Sequence, residues 1–286
     1  MSFRNFLLAA LAIAGAPVFV APASASMLHR LECQAAVDLV KLSRPLAKIS
    51  ARLLHNEDIT ILALGSSSTY GTGASKSEFS YPSRLEHELH TLLPKAKVKV
   101  VNRGIGGEDA RQMLARLDGD LAGKPDLVLW QVGTNALLGE NGVETQAPLI
   151  RDGLRRIRAT GADVILMDPQ YAPYVLRDPD ARPMVALLDK LGEEAGVPVF
   201  KRFALMQHWH EAREYAFSDI LAPDLFHMND WSYGCLARNL AAALVANARA
   251  STEAATVTAT AAPAGDKAPA QASTAGAIAP AKTASH

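Results

Sequence analysis

The sequence predicts an α/β domain of three layers, α/β/α, built on a mostly parallel five-stranded sheet. Three observations carry that reading. Short aliphatic or β-branched runs alternate with longer segments of helical periodicity between Met27 and Ala250. The runs are the length of strands and the intervening segments the length of helices. Glycine-containing polar blocks follow the runs, at the carboxyl ends where open α/β sheets gather their functional loops.

In chain order, Ile59 to Leu64 is the first strand, an apolar run that stops at Gly65. Tyr81 to Leu93 is the first helix of the alternating pattern and carries Pro82 in its first turn, where a missing N–H costs nothing. Val98 to Asn102 is the second strand and Glu108 to Leu121 the helix after it. Leu127 to Val132 is the third strand, with Trp130 as core, followed by a helix over Gln146 to Thr160. Val164 to Met167 and Val197 to Phe200 are strands four and five, separated by a helix that opens on Pro183 and runs to Ala195. Asn229 caps a last helix that reaches Ala250.

The flanks read differently. Arg4 precedes an apolar stretch from Phe6 to Val20, and Ala23-Ser24-Ala25 offers small residues for cleavage, the pattern of a secretory signal over residues 1–25 with a mature start at Ser26. Gly15 and Pro17 break the stretch, which is shorter than the roughly 20 apolar residues a spanning helix needs. The expectation is therefore an exported protein, periplasmic or secreted, with no stable membrane insertion after cleavage. From Ser251 to His286 the chain is Ala, Thr, Pro and Ser with almost no large apolar side chain, a composition that does not offset the entropy of ordering it. That tail is expected to be disordered, a solvated extension or a spacer.

With 286 residues, 49% hydrophobic, and 29 basic against 29 acidic side chains, the chain can bury one sizeable core. Its charge balance gives no electrostatic reason for a nucleic-acid partner. Cys33, expected on a first helix, and Cys235, on the last, are the only thiols. Export would let them pair if the fold brings their Cα atoms within about 7 Å, and two buried free thiols are the alternative.

Four blocks carry chemistry. Gly65-Ser66-Ser67-Ser68-Thr69 follows the first strand, Asn102-Arg103-Gly104 the second, Gly133-Thr134-Asn135 the third, and Asp224-x-x-His227 precedes the last helix. They supply a hydroxyl, a carboxylate and an imidazole in the order Ser, Asp, His, the set that acyl transfer through a covalent intermediate requires. An Asp three residues before a His can reach back to Nδ1–H and leave Nε2 for the hydroxyl. In order, spacing and place relative to the strands, the four blocks resemble those of the SGNH hydrolases, the GDSL esterase/lipase superfamily, from about Ile59 to Ala250.

The resemblance implies a flavodoxin-like sheet and a serine esterase with no metal or organic cofactor. Its register puts the nucleophile on Ser67, among three consecutive serines. It puts the general base on His227, the orienting carboxylate on Asp224, and the oxyanion donors on Ser67 N–H, Gly104 N–H and the Asn135 amide. Ser66 stands where the family has Asp, and Ala136 where an Asp often follows the Asn. The first departure alters the bonds that tether the nucleophile loop; the second reduces loop support.

Other residues have a plain reading beside the functional one. Asp168 to Pro173 follows the fourth strand, so Tyr171 or Tyr174 is a candidate substrate wall, or the loop is a rigid proline-bounded turn. Trp231 and Tyr233, close to His227 in sequence, line the pocket or pack under it. Glu86-His87-Glu88-Leu89-His90 misses the His-Glu-x-x-His spacing by one residue and reads as a solvated helix face. His208 and His210 have no acidic or thiol partner at ligand spacing.

The expected activity is hydrolysis of a small-molecule or glycan ester, with removal of acetyl from an envelope or extracellular polysaccharide as the leading substrate. Lysophospholipase, arylesterase, thioesterase and O-acyltransferase share the same triad. A glycan-binding protein that kept the fold and lost the chemistry is the competing class.

Overall fold

The computed structural model describes residues 33, 35, 37–139 and 142–260. Residues 1–25, read as a signal, lie outside the described residues, as does the tail beyond Thr260. Five parallel strands form one sheet: β1 (Ile59–Gly65), β2 (Val98–Gly104), β3 (Leu127–Gln131), β4 (Asp163–Met167) and β5 (Val199–Phe200), in the order β2-β1-β3-β4-β5. β3 sits at the centre and every residue in it is buried, which is why Leu127-Val128-Leu129-Trp130-Gln131 shows no alternation.

Helices cover both faces. Ala47–His55, Tyr81–Leu92 and the C-terminal helix Asp230–Thr260 pack together in one layer. Val143–Ala159 packs between Ala110–Leu121 and Ala181–Ala195 in the other. Trp130, fully buried, points into that second layer, where a Cβ on Gly153 would stand 2.2 Å from its ring. Any larger residue at Gly153 would have to move the indole or the helix.

Two boundaries depart from the sequence reading for physical reasons. β2 continues through Asn102-Arg103-Gly104 because it stays in register with β1 up to the pair Gly65↔Gly104. The C-terminal helix continues ten residues past Ala250, to Thr260, across the start of the Ala- and Thr-rich segment expected to be disordered. Alanine, the best helix former, supports that extension. The helix Ala47–His55 has no counterpart in the sequence reading.

Glu86 and His90 make backbone bonds to the edge strand, so their helix face is not simply solvated as expected. Glu86 accepts from Val100 N–H at 2.6 Å, and His90 Nε2 lies 2.7 Å from Val98 O. They occupy backbone groups that edge strand β2 would otherwise leave open.

Cys33 and Cys235 form a disulfide with a Cα–Cα distance of 5.3 Å. Cys33 lies in a turn ahead of the short helix Val37–Val40, not on a helix as expected. Asn239, one turn beyond Cys235, donates to both Cys33 O and Cys235 O at 2.8 Å. Asn247 accepts from Leu46 N–H at 3.0 Å and donates to Arg44 O at 2.9 Å. The segment leading into the domain is thus stitched to the last helix by a covalent bond and two asparagines.

Candidate active site

Gly65 ends β1 and must be glycine: a Cβ there would sit 2.1 Å from Thr69 Oγ1 and 2.8 Å from Gln131 Oε1. The chain turns at once into a short helix, Ser67–Tyr70. Gln131, at the end of β3, gathers the turn. Its Oε1 accepts from Ser66 N–H at 2.9 Å, Ser66 Oγ at 3.1 Å and Thr69 Oγ1 at 3.2 Å. Ser66, standing in place of the family's Asp, is buried and committed to this bond, whereas Ser67 is half-exposed. The three consecutive serines are therefore distinguished by the direction of the backbone.

His227 comes to Ser67 from 160 residues away, with Nε2 2.8 Å from Ser67 Oγ. On its other side Nδ1 lies 2.6 Å from Asp224 Oδ2. Asp224 Oδ1 accepts from the N–H groups of Phe226 and His227, both at 3.0 Å, so one carboxylate folds the loop and orients the ring. Partial burial opposes the charge on Asp224, but the His227 side chain and these N–H groups outweigh it and hold its carboxyl below the usual range. The loop is pinned at its base by the bridge Leu221↔Met228 and by Ala222 N–H on His227 O at 2.8 Å. Ser75 reaches it too, donating from N–H and Oγ to the Asp230 carboxylate at 2.8 and 2.6 Å.

Asn135 opens the third loop in the short helix Thr134–Leu137, after Gly133 at φ +103°. Its Nδ2 donates one hydrogen to Glu108 O at 2.8 Å, joining it to the turn after β2. Arg116 holds that turn from the following helix, donating to both Glu108 carboxylate oxygens, to Arg103 O at 2.9 Å and to Asp120. Asp109 caps the helix, accepting from Arg111 N–H at 2.8 Å, with Gln112 bonding back to Asp109 N–H at 2.9 Å.

Within this turn the structure moves attention away from Gly104. Its N–H donates to Asn102 Oδ1 at 2.9 Å, and a Cβ there would lie 2.1 Å from Tyr70 N. Gly104 is a close-approach glycine whose N–H is already spent. Two residues on, a Cβ on Gly106 would stand 3.9 Å from Ser67 Cβ, and Gly107 has φ +83° with open space before it. The pair Gly106-Gly107 stands in the sequence just past the end of β2, whose register with β1 ends at Gly104.

The two aromatic expectations fare differently. Tyr171 is 6% exposed, its ring 5.1 Å from Phe203 and 5.9 Å from Phe217, its hydroxyl donating to Glu211 at 2.7 Å. It packs the interior and presents no stacking face, because the chain after β4 turns inward before reaching the surface. Tyr174, on the same loop, is 53% exposed and lies 5.5 Å from Phe226, the neighbour of His227. Trp231 is half-buried between Trp209 and Tyr215, lining a cleft of about 370 Å³ with Asp219 and Ile220. Tyr233 packs under the site, with its hydroxyl on Thr72 O at 2.7 Å. His210 stacks on Phe217 at 3.9 Å and bonds Tyr215 O. A cavity of about 600 Å³ near Cys33, walled by Ala242, Ala243 and Ala246, contains none of the chemistry-bearing residues. Among the described residues no group of three or more His, Cys, Asp or Glu is placed to hold a metal.

The sequence profile of the non-GDSL lipase-like family matches residues 32–250. A two-domain esterase active on acetylated mannans has a similar structure, with TM-score 0.61 and 23% identity over 76% of this chain and 58% of that one. This chain thus spans less than two thirds of that protein's length. An acetylxylan esterase from Geobacillus stearothermophilus aligns with TM-score 0.56 and 22% identity, over 65% of this chain and 94% of that one. A lipase/acylhydrolase from Enterococcus faecalis aligns with TM-score 0.56 and 22% identity, over 67% and 96%. At these identities the likeness is one of fold. No curated protein matches the sequence. The family profile spans the sheet and all four blocks, and the chain belongs to the non-GDSL lipase-like family.

Proposed function

We propose that this protein is an exported serine esterase that works through an acyl-enzyme on Ser67. The observation that carries the reading is the 2.8 Å contact between Ser67 Oγ and His227 Nε2, with Asp224 on the far side of the ring. In the first half-reaction Ser67 Oγ attacks the ester carbonyl while Nε2 takes its proton. The tetrahedral oxyanion collapses, the alkoxide leaves with the proton from His227, and Ser67 holds the acyl group. Water, deprotonated by the same nitrogen, repeats the sequence and frees the acid. Asp224 holds the tautomer and offsets the imidazolium charge as it forms.

The oxyanion is assigned to Ser67 N–H, the second amide hydrogen of Asn135, and the N–H groups of the Gly106-Gly107 turn in place of Gly104. Donors already aimed at the developing charge need no reorganisation in the transition state, the source of their large effect. The acyl group is assigned as acetyl and the alcohol as a hydroxyl of an extracellular or envelope glycan. Support comes from export, read from residues 1–25 and favoured by the disulfide, and from the acetylated mannan and xylan substrates of similarly folded esterases. The mature enzyme is assigned to residues 26–250, with the tail after it.

A fluorophosphonate probe tests the chemistry. It should label the parent protein and leave Ser67→Ala unlabelled; labelling of both, or of neither, rejects Ser67 as the nucleophile. A series of p-nitrophenyl esters tests the acyl group. Turnover should be highest on acetate, and a preference for octanoate would remove the deacetylase assignment.

A further inference from the structure

We infer that Gln170 is a positioning residue, a buried joint that sets the oxyanion loop and the histidine loop at a fixed separation. The inference rests on the serine-esterase reading above. Gln170 lies after β4, three residues beyond Met167, and is 0% exposed. Thr134 Oγ1 donates to its Oε1 at 3.0 Å, and Arg202 Nη2 donates to the same oxygen at 3.1 Å. Two donors on one oxygen fix which way the amide faces. Nε2 is thereby turned to Phe226 O, 3.5 Å away, at the long end of hydrogen-bonding range.

Thr134 is the residue before Asn135, and Phe226 the residue before His227. A single planar amide therefore touches the neighbours of the oxyanion donor and of the base. It does so from beneath, reaching no substrate itself. Arg202 anchors the joint: it is 0% exposed, begins the helix after β5, and donates through Nε to Asp168 O at 2.9 Å. The loops after β3, β4 and β5 and the loop of His227 thus meet at one cluster.

Energetics argue that the cluster is more than filler. Arg202 Nη1 and Asp168 Oδ2 are buried without a hydrogen-bond partner, an arrangement that apolar residues of equal volume would avoid. A buried amide is directional where a leucine is not, and catalysis falls steeply when reacting groups are misplaced by even 1 Å.

The test is a double-mutant cycle on the full-length protein with p-nitrophenyl acetate. Gln170→Leu and Thr134→Val should each lower kcat by about tenfold to hundredfold, with KM changed by less than about threefold. Because the bond that Thr134→Val breaks is among those that Gln170→Leu removes, the double variant should be little worse than Gln170→Leu alone. Gln170→Glu keeps an acceptor oxygen for Thr134 and Arg202 but replaces the donor to Phe226 O with a carboxylate beside Arg202, and it should lose about threefold or more in kcat.

Unchanged kcat in Gln170→Leu or Gln170→Glu, or losses that simply multiply in the double variant, would overturn the joint. A loss shared by Ile157→Ala, a buried core residue near the end of the helix that leads into β4, would mark general loosening and overturn it too. The low-field N–H resonance of His227 gives a readout independent of turnover. It should shift or broaden in Thr134→Val, which breaks the bond to Gln170 without adding a charge, and an unmoved line would reject the coupling even if the parent hydrolysed no ester. A parent that turns over nothing while the line moves would reject the esterase reading and keep the joint.

Discussion

Ser66, Ser67 and Ser68 are chemically identical and separated only by the turn that ends β1. Ser66 Oγ bonds Gln131, while Ser67 Oγ faces His227. Ser67→Ala should lose essentially all turnover, whereas Ser66→Ala removes one neutral hydrogen bond and should keep most of it; steady-state kinetics on both variants decides. Asn135→Ala should lower kcat by about 100- to 1,000-fold at nearly unchanged KM, as removal of one oxyanion donor does elsewhere. Retained activity in that variant would reject the donor role. The serine, aspartate, histidine and asparagine proposed for the chemistry could be picked out in the sequence, because each stands in a block with its own spacing. Gln170 could not, because a buried amide leaves no mark on residue type.

At the scale of elements, the end of β4 is tied to the start of the helix after β5 through Asp168, whose Oδ1 accepts Phe203 N–H at 2.8 Å. Burial pushes its carboxyl from 3.8 up to about 7, against the pull of the Phe203 N–H and of Arg202. In the native state the group thus keeps its proton between those values while the unfolded chain has lost it. Its effect on stability is therefore most favourable at low pH and declines as pH rises from about 4 through about 7. Asp168→Asn keeps the acceptor for Phe203 and removes the titration. Urea midpoints at about pH 5 and about pH 8 should show a decline in the parent that is smaller in the variant; equal declines would discard the burial argument. The Cys33–Cys235 link joins residues 202 apart and closes the first and last segments on each other. Its reduction, or Cys235→Ser, should cost about 2–5 kcal/mol in denaturant unfolding. Thiol titration of the denatured, unreduced protein should find none.

For the whole molecule, strands and helices were readable because a parallel sheet covered on both faces demands continuous apolar runs, and the covering helices demand a 3.6-residue period. The helix Ala47–His55 and the extension to Thr260 were not readable, because neither lies between strands in the alternating pattern. Export is testable at this scale: the N-terminus of the protein recovered from the periplasm or medium should be Ser26. An intact Met1 on the exported protein would contradict cleavage. Residue order along the chain determined the fold class and the four blocks that carry the proposed Ser, Asp and His, since each depends on local spacing and side-chain type. The meeting of His227 with Ser67, the pairing of Cys33 with Cys235, the donation of Gly104 N–H to Asn102, and the burial of Tyr171 beside an exposed Tyr174 were decided by tertiary structure alone. Each is a direction or a distance across the fold, set by strand register and by packing between layers rather than by any single stretch of residues.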